Sequence, residues 1–317
     1  MIRPFSWRDL TLLHRVQDVG LCLDSQLACT HGHRALQNAL LGGLIPRRST
    51  YTLVASPTFS TDSPAVGQVR HFADQPCARL TFIGPTETFA QPLCAQLLDA
   101  LSQSAGEGGA HHLLAEVDEI SPAFERLRQA GFAIYARQRI WRFTDSVPES
   151  LTPSPTAWRV GVSSDMITIQ SLYHNLVPAL VQQVEPPLAR NSRGLVHWDQ
   201  GELLGYLDID RGSQGTWVQP YFHPAAERVS DLLAYFLNQY AHYKRRPLYV
   251  CVRSYQGGFS EALKQLGFEP YCDQAVLVKR LAAPVRHRIR TALPALDGTQ
   301  PEPTAPFSSM KNHNSAS

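Results

Sequence analysis

The apolar positions of this chain mark out a run of short strands and helices that occurs twice. The later run has the cleaner pattern. A strand is predicted over 158–162 and a helix over 165–177. Two apolar stretches, Leu195-Val196-His197-Trp198 and Leu203-Leu204-Gly205-Tyr206-Leu207, then flank Asp199-Gln200-Gly201. That is a hairpin signal, because Gly accepts the positive φ of a tight turn. Thr216 to Phe222 reads as a further strand, interrupted at Pro220, where the missing N–H predicts a bulge or a splay. Val229, Leu232, Leu233, Phe236, Leu237 and Tyr240 recur at helical spacing and predict a helix over 229–243. A strand over 248–252, a helix over 258–266 and a strand over 271–280 complete the unit.

The earlier run follows the same outline. Its end superimposes closely on that of the later run: Phe124-Glu125-Arg126-Leu127-Arg128-Gln129-Ala130-Gly131-Phe132 lies over Ser260-Glu261-Ala262-Leu263-Lys264-Gln265-Leu266-Gly267-Phe268. Subtracting 131 from 267 gives an offset of 136, constant along the block. Each block reads as an amphipathic helix stopped by a Gly suited to the left-handed C′ position, with a Phe opening the next strand. Each follows an apolar strand, Leu113 to Val117 in one and Leu248 to Val252 in the other. The openings match too. Ile2 to Leu10 and Trp158 to Met166 each predict a short strand and then an Asp, Asp9 or Asp165, suited to starting a helix. The chain is read as a duplication.

Composition fits that reading. At 317 residues, with 44% apolar and 18% charged residues, the chain suits two domains of ordinary globular make-up. The expected division is 1–144, a Pro-rich linker over 145–157, a second domain over 158–281 and a disordered tail over 282–317 that opens on Arg286-His287-Arg288-Ile289-Arg290. A net charge of +2 argues against nucleic acid as a partner. No stretch approaches the roughly 20 apolar residues of a membrane span, and charges occupy the place of a signal peptide's apolar run. A soluble, cytoplasmic protein with no membrane partner is expected. The six cysteines have no paired spacing and read as reduced, mostly buried thiols. Cys29-Thr30-His31-Gly32-His33 lacks a fourth metal ligand and reads as a partly exposed loop; no metal is expected.

The order of strand, helix, three antiparallel strands, helix, strand, helix, strand resembles the GNAT family of acyl-CoA-dependent N-acyltransferases. The likeness is closest at the Asp199-to-Tyr206 hairpin, at Val218-Gln219-Pro220 with His223-Pro224, and at the Leu263-to-Phe268 ending. It implies an α+β chain of two tandem GNAT-like domains, each a mixed, mostly antiparallel twisted sheet flanked by helices. It also implies acetyl-CoA as co-substrate, a small-molecule or peptide amine as acceptor, and a monomer or homodimer. In such proteins the fourth and fifth strands splay, pantetheine lies in the gap, and the diphosphate rests on the start of the central helix. Carried onto this chain, the cofactor contacts fall at Val218, Pro220, Phe222, His223, Arg228 and Ser230.

The sequence departs from that pattern in two places. Neither half has the family's small-residue phosphate turn, Arg or Gln, two residues, Gly, one residue, then Gly or Ala. The second half offers His223-Pro224-Ala225-Ala226-Glu227-Arg228 and the first Gly84-Pro85-Thr86-Glu87-Thr88. The Tyr that many relatives carry four residues before the Gly-Phe ending is Leu127 in one half and Leu263 in the other. Tyr255 is the substitute acid. Asp208, on the third strand with Asp210 on the same face, is the candidate base, with Glu116 of the first half as a further carboxylate. Tyr206 and Tyr221 fall beside the implied substrate channel. These readings point to an N-acetyltransferase; the alternative is an inactive GNAT-fold binding or scaffold protein.

Overall fold

The computed structural model describes residues 1–32, 48–56, 63–73, 75–144, 158–185, 194–240 and 246–281. The expected linker and tail, His33 and the last turn of the helix predicted to reach 243 lie outside the described residues. Of two compact units, Met1–Pro284 holds every element described below; the other, Val285–Ser317, lies outside the described residues.

The first half comprises β1 (Ile2–Pro4), α1 (Leu10–Val16), β2 (Leu21–Cys22), α2 (Ser25–His31), β3 (Arg48–Ala55), β4 (Ala65–Phe72), β5 (Cys77–Gly84), α3 (Leu93–Glu107), β6 (His112–Val117), α4 (Pro122–Gln129) and β7 (Ala133–Phe143). The second comprises β8 (Trp158–Val160), α5 (Met166–Leu176), α6 (Ala179–Val184), β9 (Leu195–Asp199), β10 (Glu202–Arg211), β11 (Thr216–Phe222), α7 (Val229–Tyr240), β12 (Leu248–Arg253), α8 (Phe259–Gln265) and β13 (Glu269–Arg280). The predicted strand over 216–222 is found at those bounds. The hairpin turn forms as predicted, with Gln200 at φ 46° and Gly201 at φ 86°, both positive as a two-residue turn requires.

Both helix ends form as the repeat predicts. Gly131 at φ 88° and Gly267 at φ 85° take the left-handed cap position. The amide of the following Phe then reaches back to a carbonyl in the helix, Phe132 to Leu127 at 3.1 Å and Phe268 to Leu263 at 2.9 Å. Leu127 and Leu263 are fully buried in their respective cores, so apolar packing occupies the place where a phenol was sought. The two opening Asp residues stand where the helices start, as expected, each directly before the first residue of its helix and accepting from the amide that opens the preceding helical turn. They also do more: Asp9 grips Arg3 at 2.7 and 2.6 Å, besides the Ser6 amide at 2.8 Å. Asp165 grips Arg159 at 2.7 Å twice and the Val162 amide at 2.8 Å, so each ties its opening strand to the turn behind it.

The two halves share one sheet, in the order β1-β3-β4-β5-β6-β13-β7-β12-β11-β10-β9-β8, with β2 joined to β5 at the side. The last strands have changed places. β13 pairs with β6 of the first half, β7 pairs with β12 of the second, and the two pair with each other. Gln138 stands opposite Gln274, positions also separated by 136, so the centre of the repeat runs through this pair. On one face α3 and α4 lay Leu97, Leu98, Leu101 and Leu127 over Leu80, Leu113 and Leu277. Correspondingly, α7 and α8 lay Leu232, Leu233, Phe236, Leu237 and Leu263 over Val218, Leu248 and Val250. Each such side chain contributes roughly 1.5–3 kcal/mol on burial, which is why helical apolar spacing decides where these helices sit. The opposite face of the second half is more polar and is covered by α5 and α6.

Candidate functional site

Alternation along the strands decides which side chains meet. β11 and β12 run parallel and pair only through Thr216–Leu248, Trp217–Tyr249 and Val218–Val250. Beyond Val218 they part, as Pro220 predicts. The gap is crossed by one side chain among the described residues: the Gln256 amide donates to the Pro220 carbonyl at 2.5 Å, and its oxygen accepts from the Arg253 amide at 2.9 Å. The two strands therefore present an acceptor and a donor across the gap that neither strand pairs, and the Gln256 carboxamide occupies both. Sequence reasoning passed over Gln256; its place, between the Arg253 that ends β12 and the Gly257-Gly258 turn, was the available signal.

On the face turned toward α5 and α6 lie Tyr206 and Asp208 of β10, Gln219 and Tyr221 of β11, and Arg253 at the end of β12. Tyr206 and Tyr221 are stacked with ring centroids 6.2 Å apart, and Tyr173 of α5 meets Tyr221 at 5.9 Å. Tyr255, in the turn after β12, packs against this same group. Burial raises the Asp208 carboxyl to about 6; the Tyr206 hydroxyl, 3.4 Å away, opposes the shift and Asp210 adds to it. Burial also raises the Tyr255 phenol, against the pull of Arg253, and keeps it protonated. Tyr221 feels the fields of both Tyr255 and Asp208, so the two predicted catalytic side chains belong to one neighbourhood.

Arg253 was not foreseen. It is 3% exposed and donates to Glu185 at 2.7 Å, while Tyr135 donates to the same carboxylate oxygen at 2.5 Å. Burial works to raise Glu185, but Arg253 and Arg79 outweigh it and hold the carboxylate ionised. Nε and Nη1 of Arg253 and Nε2 of Gln219 are buried without a partner. Unmet buried donors are rare and destabilising, and here they gather on the face that carries Asp208. They are suited to oxygens brought by a ligand. Arg253 and Gln256 also line a cavity of about 540 Å³ between the halves, with Glu119, Arg137, Arg139 and Asp273 around it.

The other predicted contacts are placed as follows. Val218 is buried at the fork, Phe222 is buried against Trp158 and Phe259, and Pro220 is buried with its carbonyl in the gap. His223 is half-buried; its amide donates to Leu204 and its Nδ1 accepts from Ala225. Arg228 stands just before α7 at φ 55° and pairs with Asp231 at 2.6 Å, while Ser230 lies in the first turn. A diphosphate here would have to draw Arg228 away from Asp231. Glu116 lies within β6, the strand predicted over Leu113 to Val117, engaged by the Ser25 amide at 2.9 Å and by Arg79 at 3.1 Å. Cys29 and Thr30, expected in a loop, are buried in α2.

In the first half β5 and β6 part at the same stage, after Arg79–Leu114. There the chain itself enters the gap. Leu21 and Cys22 pair with Ile83 and Phe82, the Leu23 amide donates to Thr81 at 3.0 Å, and the Glu116 amide donates to the Leu23 carbonyl at 2.9 Å.

A splayed parallel pair within an otherwise antiparallel sheet, repeated once along the chain, defines a tandem α+β architecture with the GNAT fold. Comparison with solved structures agrees. A GCN5-related N-acetyltransferase from Sphaerobacter thermophilus is similar over 88% of this chain and 95% of its own, at 12% identity and a TM-score of 0.55. A Drosophila protein is similar over 89% and 98%, at 18% identity and a TM-score of 0.50. A tandem GNAT protein from the clavulanic acid biosynthesis pathway shows 15% identity and a TM-score of 0.49 over 88% of this chain. No family model and no curated protein sequence matches. The chain thus has the GNAT fold. Among the described residues no helix is long and apolar enough to cross a membrane.

Proposed function

We propose that the second half is an acyl-CoA-dependent N-acyltransferase acting on an amine. The observation that carries this reading is the β11–β12 gap, whose Pro220 carbonyl and Arg253 amide already hold a carboxamide, the group that pantetheine offers twice. When bound, acyl-CoA supplies an acyl group activated as a thioester. Pro220 and Arg253 would hold its amides once Gln256 swings aside. His223, Arg228 and Ser230 lie where the diphosphate would rest, at the start of α7.

The chain's own residues supply the proton chemistry. Asp208, poised near neutral pH by burial, takes the proton the amine sheds as the new C–N bond forms. Tyr255, held protonated, gives its proton to the sulfur as the C–S bond breaks. The unpartnered donors of Gln219 and Arg253 are available to oxygen where negative charge develops.

The test is acetyl-CoA thiol release over a panel of amines, with the wild-type chain and Asp208→Asn. Turnover that rises with pH through about 6 and collapses in the variant supports the reading. No turnover with any amine and no heat on titrating acetyl-CoA would leave the scaffold alternative, which the missing phosphate glycines and the Arg228–Asp231 pair favour.

A further inference from the structure

We infer that the first half has lost acyl-CoA binding by folding residues 21–24 into its own gap, so that one chain holds one acyl-CoA; this rests on the acyltransferase reading above. The backbone of Leu23 does in the first half what the Gln256 side chain does in the second: it donates to one splayed strand, at Thr81, and accepts from the other, at Glu116. The two plugs differ in how firmly they are held. Gln256 hangs from a turn by two hydrogen bonds. The Leu21–Leu23 segment has strand pairing on one side, a buried Leu23 side chain in the α3 core, and a locked exit. That exit is Asp24, fully buried, gripped by Arg70 at 2.6 Å and capping α2 at the Leu27 amide.

The sequence is built to admit this segment. A Cβ on Gly20 would stand 2.0 Å from the Phe82 ring, and one on Gly84 would stand 3.0 Å from the Gly20 Cα, so both glycines are needed for the approach. The turn after β5 is occupied as well, because the Thr86 amide and hydroxyl both donate to the Val19 carbonyl, at 2.9 and 2.6 Å. Beyond the plug, α2 is wedged onto the second half. Gln26 donates to Asp210 at 2.9 Å, and the Gln214 amide donates to the Thr30 carbonyl at 2.8 Å. Withdrawing the plug would break a strand, a buried ion pair and this contact together, whereas withdrawing Gln256 breaks two hydrogen bonds.

Calorimetric titration of the full chain with CoA, joined to hydrogen exchange with and without CoA, tests the inference. One site per chain is expected, with exchange slowed only around 218–223 and 253–258. Two sites, or slowed exchange at 79–84 and 114–117, would overturn it. Zero sites would instead remove the acyltransferase reading, and the plug is then judged from the free protein: rapid exchange of the Leu23 and Glu116 amides overturns it, slow exchange upholds it.

Discussion

The two strand gaps of this molecule open at equivalent points and are closed by different means. In the first half the backbone of Leu23 joins Thr81 to Glu116; in the second the side chain of Gln256 joins Pro220 to Arg253. A backbone plug is tied at both ends to the chain and carries a buried side chain with it. A side-chain plug turns on a few single bonds and leaves the strands as they were. The same fork therefore makes a permanent structural joint in one half and a displaceable contact in the other. Around the displaceable one stand the titratable groups, Asp208, Tyr255 and Arg253.

Substitutions on either side of this comparison should differ in kind. The largest effect is expected at Asp208. Loss of a general base lowers rate by about 10²- to 10⁴-fold, so Asp208→Asn should cut acyl transfer by at least about 100-fold with little change in acetyl-CoA affinity. The same side chain sets a stability signature. Its folded pKa of about 6 lies above the roughly 3.9 of an unfolded Asp, so its stabilising contribution is complete below about pH 4 and is lost as pH rises through 6. Asp208→Asn should then raise the urea midpoint at pH 8 relative to wild type and not at pH 4; an equal shift at both would contradict the burial argument.

Arg253→Leu comes next. It leaves the half-buried Glu185 with Tyr135 but without its guanidinium and should destabilise the chain by up to about 3 kcal/mol in denaturant melts. A comparable loss, about 1–3 kcal/mol, is expected of Gly212→Ala, whose new Cβ would stand 2.0 Å from the Thr30 carbonyl oxygen where the β10–β11 turn meets α2. If that variant melts like wild type, α2 is not wedged between the halves. Gln256→Ala should act in the opposite sense. With its competitor gone, acetyl-CoA should bind about tenfold more tightly, since the net worth of each of two hydrogen bonds is about 0.5–1.5 kcal/mol. Weaker binding would make Gln256 a ligand contact instead of a plug.

How much of this was visible in the sequence follows from the range of the forces involved. The hairpin at Gln200-Gly201 and the Gly-Phe endings were legible, because positive φ and a helix cap are decided within five or six residues. The splay was legible from Pro220. The exchange of β7 and β13 was not, since two strands of similar character carry no local mark of which sheet edge each will join. Asp9 and Asp165 were legible as helix starts, but their grip on Arg3 and Arg159 was not, because those partners lie six residues back; the recurring Arg-x5-Asp spacing was the signal. The plug at Leu21–Leu23 is too short to read as a strand, and only Gly20 and Gly84 hint at a close approach. Arg253 closes an apolar strand and showed nothing in sequence of its half-buried Glu185 partner.

The most direct test of the account is to find where acyl-CoA lies. An acyl-CoA analogue with a photoreactive acyl chain, irradiated with the full-length protein and mapped by mass spectrometry, should mark residues within 218–223 and 253–258 and be displaced by acetyl-CoA. Competable labelling at 79–84 or 114–117 instead would show that the first half holds the ligand and would contradict the account.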